Sequence, residues 1–232
     1  MIAIVGSGNV ATHLYKALED KTKVLMVNPR TLEELNSDVD VILLCVSDDA
    51  IKEVSDRIGE TGALLAHTSG SVPLSVLAGK GRESGVFYPL QTFSKGVELN
   101  YREIPLFIEA SSKEGLKKLR QIGELLSDNI HEADSESRRK LHLASVFACN
   151  FTNALAGIAD GLLMDSGFDI KVILPLLKQT IDKLHLLSPK EAQTGPAKRG
   201  DSEVMESHLK MLEEKPRLKE LYSLMSDIIK NA

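Results

Sequence analysis

The stretch Ile2-Ala3-Ile4-Val5-Gly6-Ser7-Gly8-Asn9-Val10-Ala11 decides the fold of this chain. Its first four residues are apolar and mostly β-branched, which predicts a buried strand. Glycines then permit a tight turn, and a helical apolar pattern begins at Val10. A strand, a Gly6-x-Gly8-x-x-Ala11 turn and a helix form the arrangement that holds a dinucleotide pyrophosphate at the helix N-terminus. We therefore predict cofactor contacts from the residues of this turn: Gly6, Ser7, Gly8, Asn9 and Val10.

Apolar, strand-like runs alternate with helical stretches as far as about residue 132. Continuous apolar runs are typical of strands that are buried on both faces of a parallel sheet. The alternation predicts right-handed βαβ units and an α/β fold with a Rossmann-type doubly wound parallel sheet. The predicted strands are 2–5, 24–27, 41–46, 63–66, 86–88 and 106–108, and a helix is predicted over 113–127.

From residue 134 onward the sequence carries almost no strand signal. Helical runs cover about 135–164, 169–186, 202–214 and 217–230. We predict a dinucleotide-binding domain over 1–132 and an all-α C-terminal domain over 133–232. In QTGPAKRGD, residues 193–201, Asp201 is predicted to N-cap the third run, and the RGD tripeptide is interpreted as a coincidence.

Composition and charge exclude several classes of function. Lys and Arg number 28 against 33 Asp and Glu, so the net charge of −5 disfavours a nucleic-acid partner. The two cysteines form no CxxC pair, so neither a metal site nor a disulfide framework is expected. We read no apolar stretch close to the ~20 residues that span a bilayer, and no leader ahead of the first strand. We expect a cytoplasmic protein that binds no membrane.

The turn after the second predicted strand bears on which dinucleotide binds. Dinucleotide folds that prefer NAD often carry an acidic residue about 20 residues beyond the glycine turn. This chain has Asn28 there, followed by Pro29, Arg30 and Thr31. No carboxylate repels a 2′-phosphate, and a guanidinium suits phosphate geometry. NADP is therefore favoured over NAD, with contacts from Asn28, Arg30 and Thr31; the alternative is that Arg30 is a solvated loop residue.

Polar residues follow the next two strands, near the switch point of such a sheet, where ligands bind. Val46, Ser47 and Asp48 are predicted to contact the cofactor. His67 ends the following strand and is either a proton donor or a structural hydrogen-bonding residue. Ser69, two residues further on, is a candidate substrate contact.

A polar stripe marks the first long helical run. At ~100° per residue, its polar members fall within an arc of about 80°; they are Arg139, His142, Asn150 and Asn153, with Val146 among them. One interpretation is a substrate wall, in which His142 donates a proton and Asn150 orients the substrate. The alternative is a helix–helix interface. Arg199 is likewise either part of a loop that covers the site or a solvated side chain.

Seven motifs together resemble one family. They are GSGNVA, VNPRT, CVSDDAI, HTSGS, FYPLQTF, HLASVFACNFTN and TGPAKRGDSEVMESHL. The family consists of Rossmann-like proteins with a C-terminal helical domain of unknown function, described as NADP-dependent oxidoreductases. The resemblance covers nearly the whole chain. It extends more distantly to pyrroline-5-carboxylate reductase, ketopantoate reductase and 6-phosphogluconate dehydrogenase-like proteins.

The resemblance implies an NADP-dependent oxidoreductase whose small polar, anionic substrate lies in a cleft between the two domains. It also implies a homodimer formed through the helical domain, and substrate contacts from Asn153, Thr194 and Arg199. Two departures keep an alternative open. Pro29 interrupts the Asn-Arg-Thr turn, and no catalytic Lys–Asn or Lys–Glu set is recognisable. The alternative is a non-catalytic dinucleotide-binding sensor; a helical scaffold with a vestigial Rossmann half is a third interpretation.

Overall fold

The computed structural model describes residues 1–35, 38–79 and 82–231. The chain forms two compact units, Met1–Ala154 and Leu155–Ala232. The first unit therefore continues past the predicted boundary at 132/133. A physical reason is the buried Arg138, whose guanidinium forms an ion pair with Glu109 of the sheet. This contact ties the first helix of the predicted all-α region to the α/β unit.

The first unit is built on one sheet, and its described strands are β1 (Ile2–Val5), β2 (Val24–Val27), β3 (Val41–Leu44), β4 (Leu64–His67), β5 (Ser84–Pro89), β6 (Leu106–Ala110) and β7 (Ile130–Glu132). Their order across the sheet is β2-β1-β3-β4-β5-β6-β7. Neighbouring strands are parallel except β5 and β6, which are antiparallel. The predicted Rossmann-type fold is confirmed, but β6 and β7 run against the other strands, and the sequence pattern missed β7.

The strand directions determine where functional groups meet. In register, Ile2 of β1 faces Val24 of β2 and Val41 of β3, and Leu44 of β3 faces His67 of β4. The strands β1 to β5 consequently end at the same side of the sheet, which we call the carboxyl edge. The glycine turn, the Arg30 turn, Ser47 and His67 all lie at the ends of strands on this side. Because β1 lies between β2 and β3, the switch point falls between β1 and β3.

Helices cover both faces of the sheet, as alternation along buried strands requires. The helices α1 (Asn9–Leu18) and α3 (Lys113–Leu126) pack on one face, where Ile2 and Ile4 point. The helix α2 (Ile51–Ile58) packs on the other face, with Ala3 and Val5. Apolar cores result on both sides of the strands, and a third, smaller cluster forms around Val86, Tyr88 and Phe107 of β5 and β6.

The C-terminal part of the chain is helical, as predicted. Its α-helices are α4 (Ser135–Ser145), α5 (Thr152–Leu163), α6 (Leu174–Asp182), α7 (Pro189–Ala192), α8 (Pro196–Arg199), α9 (Ser202–Met211) and α10 (Pro216–Asn231). A π-helical turn, Val146–Phe151, joins α4 to α5, so the predicted run over 135–164 is continuous but not uniformly α-helical. The QTGPAKRGD segment contains the short helix α8 rather than only a loop.

One helical run, the 29 residues Ser135–Leu163, is long enough and apolar enough to cross a membrane, as judged by length and composition alone. The prediction that no stretch approaches this length is therefore wrong. It missed the run because polar residues such as His142 and Asn150 interrupt the apolar pattern. Core helices of soluble proteins meet the same criterion of length and composition.

Candidate functional site

The glycine turn after β1 has the backbone that a pyrophosphate needs. Gly6 has a φ of 151°, and a Cβ there would lie 2.3 Å from the carbonyl oxygen of Cys45, so only glycine fits. Gly8 differs, because a Cβ there would meet nothing within 4 Å. Gly8 is also the N-cap of α1 and supplies no side-chain cap. The first N–H groups of α1 therefore lack a side-chain cap, and the positive end of the helix dipole favours an anion there.

The side chains of Asn9 and His13 on α1 bond the loop that follows β5. Its side-chain amide donates to the carbonyl oxygen of Phe93 at 2.8 Å. His13, one turn further along α1, bonds the carbonyl oxygen of Ser94 at 2.9 Å through Nε2 and the hydroxyl of Tyr101 at 2.8 Å through Nδ1. The Asn9 side chain thus holds the loop after β5, and its backbone N–H is the group left for the predicted cofactor contact.

A crevice of about 440 Å³ lies at the carboxyl edge, at the switch point between β1 and β3. The Gly6, Ser7 and Gly8 turn lines this crevice. Three further residues with predicted cofactor contacts also line it: Arg30, Val46 and Ser47. Asn28 supports the turn instead, because its side-chain oxygen accepts the N–H of Arg30 at 2.9 Å. The shape and the lining groups fit a phosphate-bearing dinucleotide.

Arg57 is a residue that sequence reasoning missed. It lies in the last turn of α2, and its guanidinium donates to the carbonyl oxygens of Pro29, at 2.9 Å, and of Arg30. Arg30 and Arg57 line the same crevice, together with one acidic residue, Glu53. Nothing in the spacing of residues 51–58 marks Arg57, since its partners lie 27 and 28 positions away. Two guanidinium groups at one end of the crevice favour a 2′-phosphate.

The loop after β4 connects to the switch point through hydroxyl groups. The hydroxyl of Ser71 donates to the carboxylate of Asp48. The hydroxyl oxygen of Ser69 accepts the N–H groups of Ser71 at 3.1 Å and Val72 at 3.0 Å. Ser69 is buried. Its side chain therefore caps the local turn, and the substrate contact of Ser69 stays a prediction.

His67 is completely buried at the end of β4. Its Nδ1 accepts the N–H of Ser69 at 3.2 Å. Burial, aided by the positive charge of Arg138, lowers the pKa of His67 to about 4. The ring is consequently neutral at physiological pH, and of the two predicted roles the geometry favours the structural one over the proton donor.

Tyr88 and His142 form a second group at the carboxyl edge. Tyr88 belongs to β5, and its hydroxyl lies 3.2 Å from Nδ1 of His142 on α4. A Cβ on Gly70 would lie 2.6 Å from the Tyr88 ring and 2.8 Å from Nδ1 of His142. Three segments that are distant in sequence thus fit closely together. His142 was a predicted proton donor; Tyr88 was not predicted, although its motif FYPLQTF was noted.

The remaining predicted residues lie on the helices. Asn150 lies within the π-helical turn Val146–Phe151 and Asn153 lies beyond it, so the α-helical wheel that placed both on the face of His142 does not hold. One additional residue in a turn rotates the rest of the helix by roughly 100°. Asn150 and Asn153 are exposed, whereas His142 is half-buried. The predicted continuous polar stripe is therefore interrupted after His142.

Thr194 and Arg199 belong to the second unit. Thr194 is exposed, and the Arg199 side chain is 65% exposed with its guanidinium 3.8 Å from the carboxylate of Asp201. Asp201 accepts the N–H of Val204 at 3.3 Å and is the predicted N-cap of α9. Within the described residues, no group of three or more His, Cys, Asp or Glu side chains could hold a metal ion.

Comparison with known proteins agrees with this geometry. Residues 104–229 match the family model described as "Domain of unknown function (DUF2520)". A crystal structure from Bacteroides fragilis, described as a "putative NADP oxidoreductase", is 40% identical, with a TM-score of 0.91 over 100% of this chain and 98% of that one. A protein from Thermotoga maritima is 25% identical, with a TM-score of 0.75 over 100% of this chain and 97% of that one.

Pyrroline carboxylate reductase from Plasmodium falciparum, solved with NADP bound, shares the fold at 14% identity, with a TM-score of 0.61 over 99% of this chain and 98% of that one. This likeness agrees with the predicted distant resemblance to that enzyme. Comparison with the curated proteins gives no match.

Proposed function

The chain belongs to the DUF2520 family, and from this premise we propose that it is an NADP-dependent oxidoreductase acting on a small polar, anionic substrate. The observation that carries the proposal is the crevice between β1 and β3, where Gly8 leaves open space in front of the uncapped N-terminus of α1. The description of the 40%-identical Bacteroides fragilis protein as a "putative NADP oxidoreductase" supports the same cofactor.

Each part of the cofactor has a proposed location along the carboxyl edge. The pyrophosphate binds the N–H groups of α1 beside Gly6 and Gly8. The 2′-phosphate binds Arg30 and Arg57 at the β2 side, and this pairing makes NAD the weaker ligand. The nicotinamide then extends past Ser47 towards β4 and β5. Bound NADPH supplies the hydride, and the protein supplies orientation and a proton.

The proposed proton donor and substrate contacts lie in the helical part of the chain. His142 is our candidate proton donor, because it lies at the carboxyl edge beside β5. Asn150, Asn153, Thr194 and Arg199 stay proposals that rest on the family resemblance. A non-catalytic sensor is the second candidate function. It is supported by the hydrogen bonds of His67 and Ser69, whose side chains accept local backbone N–H groups.

We also propose that the protein is a cytoplasmic homodimer. The helical region exposes large apolar side chains, among them Phe147 at 63%, Met164 at 79% and Leu186 at 86%. Large apolar side chains that are left exposed in this number indicate an interface or a membrane contact. A second copy of this chain is a better partner for this surface than a membrane, because the long run Ser135–Leu163 also carries Arg139, Lys140 and two asparagines. A wild-type protein that needs detergent to stay in solution would favour the membrane instead.

The test of the cofactor is a titration of the purified protein with NADPH and NADH. We expect NADPH to bind at least tenfold more tightly than NADH. Arg30→Ala and Arg57→Ala should each weaken NADPH by about 1.5–3 kcal/mol, the strength of a charge-assisted bond, with little effect on NADH. Gly8→Ala should weaken both cofactors, because its Cβ enters the space of the pyrophosphate while touching no protein atom.

The matched control is Arg102→Ala. Its side chain is 53% exposed, and its charged partner is Asp128 rather than a group of the crevice. This variant should bind NADPH like the wild type. Equal affinity for the two cofactors, or an Arg102 effect as large as that of Arg30, would refute the 2′-phosphate site. Binding without turnover of any carbonyl or imine substrate, with capture of a protein partner, would favour the sensor.

A further inference from the structure

The segment 91–94, which follows β5, is fastened to α1 by two side chains. The amide of Asn9 donates to the carbonyl oxygen of Phe93 at 2.8 Å, and Nε2 of His13 lies 2.9 Å from the carbonyl oxygen of Ser94. Asn9 and His13 are four residues apart on α1, so they lie one above the other on the same face of the helix. Two consecutive carbonyl groups of the segment are thus bonded to two consecutive turns of α1.

The direction of the His13 bond is fixed, because a carbonyl oxygen can only accept. Nε2 of His13 therefore carries a proton whether the ring is neutral or charged, and the bond to Ser94 is made in both forms. On the other side of the ring, Nδ1 lies 2.8 Å from the hydroxyl of Tyr101, which is also 3.1 Å from the carbonyl oxygen of His13 itself. Burial raises the pKa of Tyr101, so this hydroxyl keeps its proton and can donate to Nδ1 of a neutral ring.

Packing holds the same residues. His13 is buried, so a bond that it loses is not readily replaced by a bond to water. Its ring packs against the ring of Phe93, with centroids 5.2 Å apart, and against the ring of Tyr101, with centroids 6.3 Å apart. The segment 91–94 therefore has a defined position relative to α1.

This segment borders the route proposed for the nicotinamide half of the cofactor. Asn9 is the first residue of α1, whose uncapped N–H groups are the proposed pyrophosphate site. Phe93 is four residues beyond Pro89, the last residue of β5, and four extended residues span at most about 14 Å. The segment therefore runs directly from the carboxyl end of β5 to the N-terminus of α1. A nicotinamide that extends from the pyrophosphate towards β4 and β5 runs between the same two points.

Gln91 supplies the polar group of this segment. Its side-chain oxygen accepts the backbone N–H of Thr92 at 2.7 Å, which identifies that atom as the oxygen, since an N–H only donates. The amide nitrogen of Gln91 bonds no other group among the described residues, and Gln91 is exposed. An amide donor suits the carboxamide oxygen or the ribose hydroxyls of a nicotinamide nucleoside.

We propose that Gln91 donates a hydrogen bond to the nicotinamide nucleoside, and that Asn9 and His13 are positioning residues that hold the segment 91–94 in place for this contact. The inference rests on the proposed NADP site and extends it to the nicotinamide end. The glycine turn and the two arginines hold the phosphates, whereas the segment after β5 forms one wall beside the reacting ring.

The test is calorimetric titration of the whole chain with NADP⁺ and with adenosine 2′,5′-bisphosphate, which carries the adenine and the 2′-phosphate but no nicotinamide. Gln91→Ala should weaken NADP⁺ by roughly threefold to tenfold, the effect of one hydrogen bond, and leave the bisphosphate unchanged. His13→Phe keeps an aromatic ring beside Phe93 and should show the same selective loss. Asn9→Ala should show it as well, and it keeps the test valid if His13→Phe does not fold.

A double variant separates positioning from a general effect on folding. If His13 acts through Gln91, His13→Phe should weaken NADP⁺ by less than about twofold once Gln91 is alanine, because contacts that act together are not additive. The matched control is His131→Phe, the same substitution at an exposed histidine of β7. This control should bind both ligands like the wild type.

The possible results lead to different conclusions. Equal losses for the two ligands, or unchanged NADP⁺ affinity in Gln91→Ala, overturn the contact at the nicotinamide end. Additive losses in the double variant overturn the positioning role of His13. A wild-type protein that binds neither ligand refutes the proposed cofactor site itself.

Discussion

The sheet and the helical region differ in the burial of their apolar side chains: the sheet buries them, whereas the helical region leaves many of them exposed. Among the described residues, almost all buried apolar side chains precede residue 127, with Ala197 and Leu212 as the exceptions. All but one of the strongly exposed large apolar side chains lie at Leu143 or beyond, the exception being Val97. An apolar strand pattern therefore predicts which side chains are buried, because the side chains that pack against them belong to the same chain. An apolar helix face predicts only that some surface covers it, without indicating which one.

The largest expected effect tests whether α4 belongs to the compact α/β unit. Arg138 is completely buried and donates to the carboxylate of Glu109 and, at 2.6 Å, to the carbonyl oxygen of Val72. Arg138→Ala leaves the carboxylate of Glu109 unpaired and should cost about 3–5 kcal/mol of unfolding free energy. Urea denaturation would measure the loss.

The neighbouring Arg139 is exposed and provides the matched control. Arg139→Ala should change the unfolding free energy by no more than about 0.5 kcal/mol. If the two variants unfold alike, α4 is not an integral part of the α/β unit, and the compact unit ends nearer residue 132, as the sequence pattern suggested.

The second prediction tests what covers the helical face. Phe147 is 63% exposed in the helical part of the chain, and Val97, in the loop after β5, is similarly exposed at 54%. Phe147→Asp should weaken self-association by about 2 kcal/mol or more, the effect of a central interface residue. Val97→Asp should leave it unchanged. Sedimentation equilibrium over a range of concentrations distinguishes the two, and a monomeric wild type would contradict the dimer.

The last prediction concerns the slope of stability with pH, which is the smallest effect when it is counted per pH unit. The folded pKa of His67 is about 4, below its ordinary value of 6.5, so the unfolded chain binds the additional proton between these values. Stability is therefore fully present above pH 6.5 and falls as the pH drops towards 4, by up to about 1.4 kcal/mol per unit. Denaturation from pH 7 to pH 4 should show a flatter curve for His67→Gln.

The exposed His185 serves as the control, since His185→Gln should retain the wild-type slope. If His67→Gln and the wild type lose stability in parallel, folding does not lower the pKa of His67, and the proton-donor interpretation would return.

The glycine turn and Arg30 could be predicted because adjacent residues determine their geometry. Arg57 could not, because its role depends on α2 folding back to the turn after β2. The burial of His67 also depends on groups remote in sequence, such as Arg138. The helical stripe was wrong for another reason. The wheel assumed one period throughout, whereas the backbone widens over Val146–Phe151.

That widened turn has a genetic consequence. Because a π-turn accommodates one residue more than an α-turn, deletion of one residue within Val146–Phe151 can be absorbed as regular α-helix. The helix would remain, and the side chains beyond it would keep their directions relative to His142, because an α-turn replaces the wider π-turn. The loss of a single codon there would thus leave the surroundings of the imidazole unchanged, and alignments of relatives would show it as a one-residue gap within Val146–Phe151.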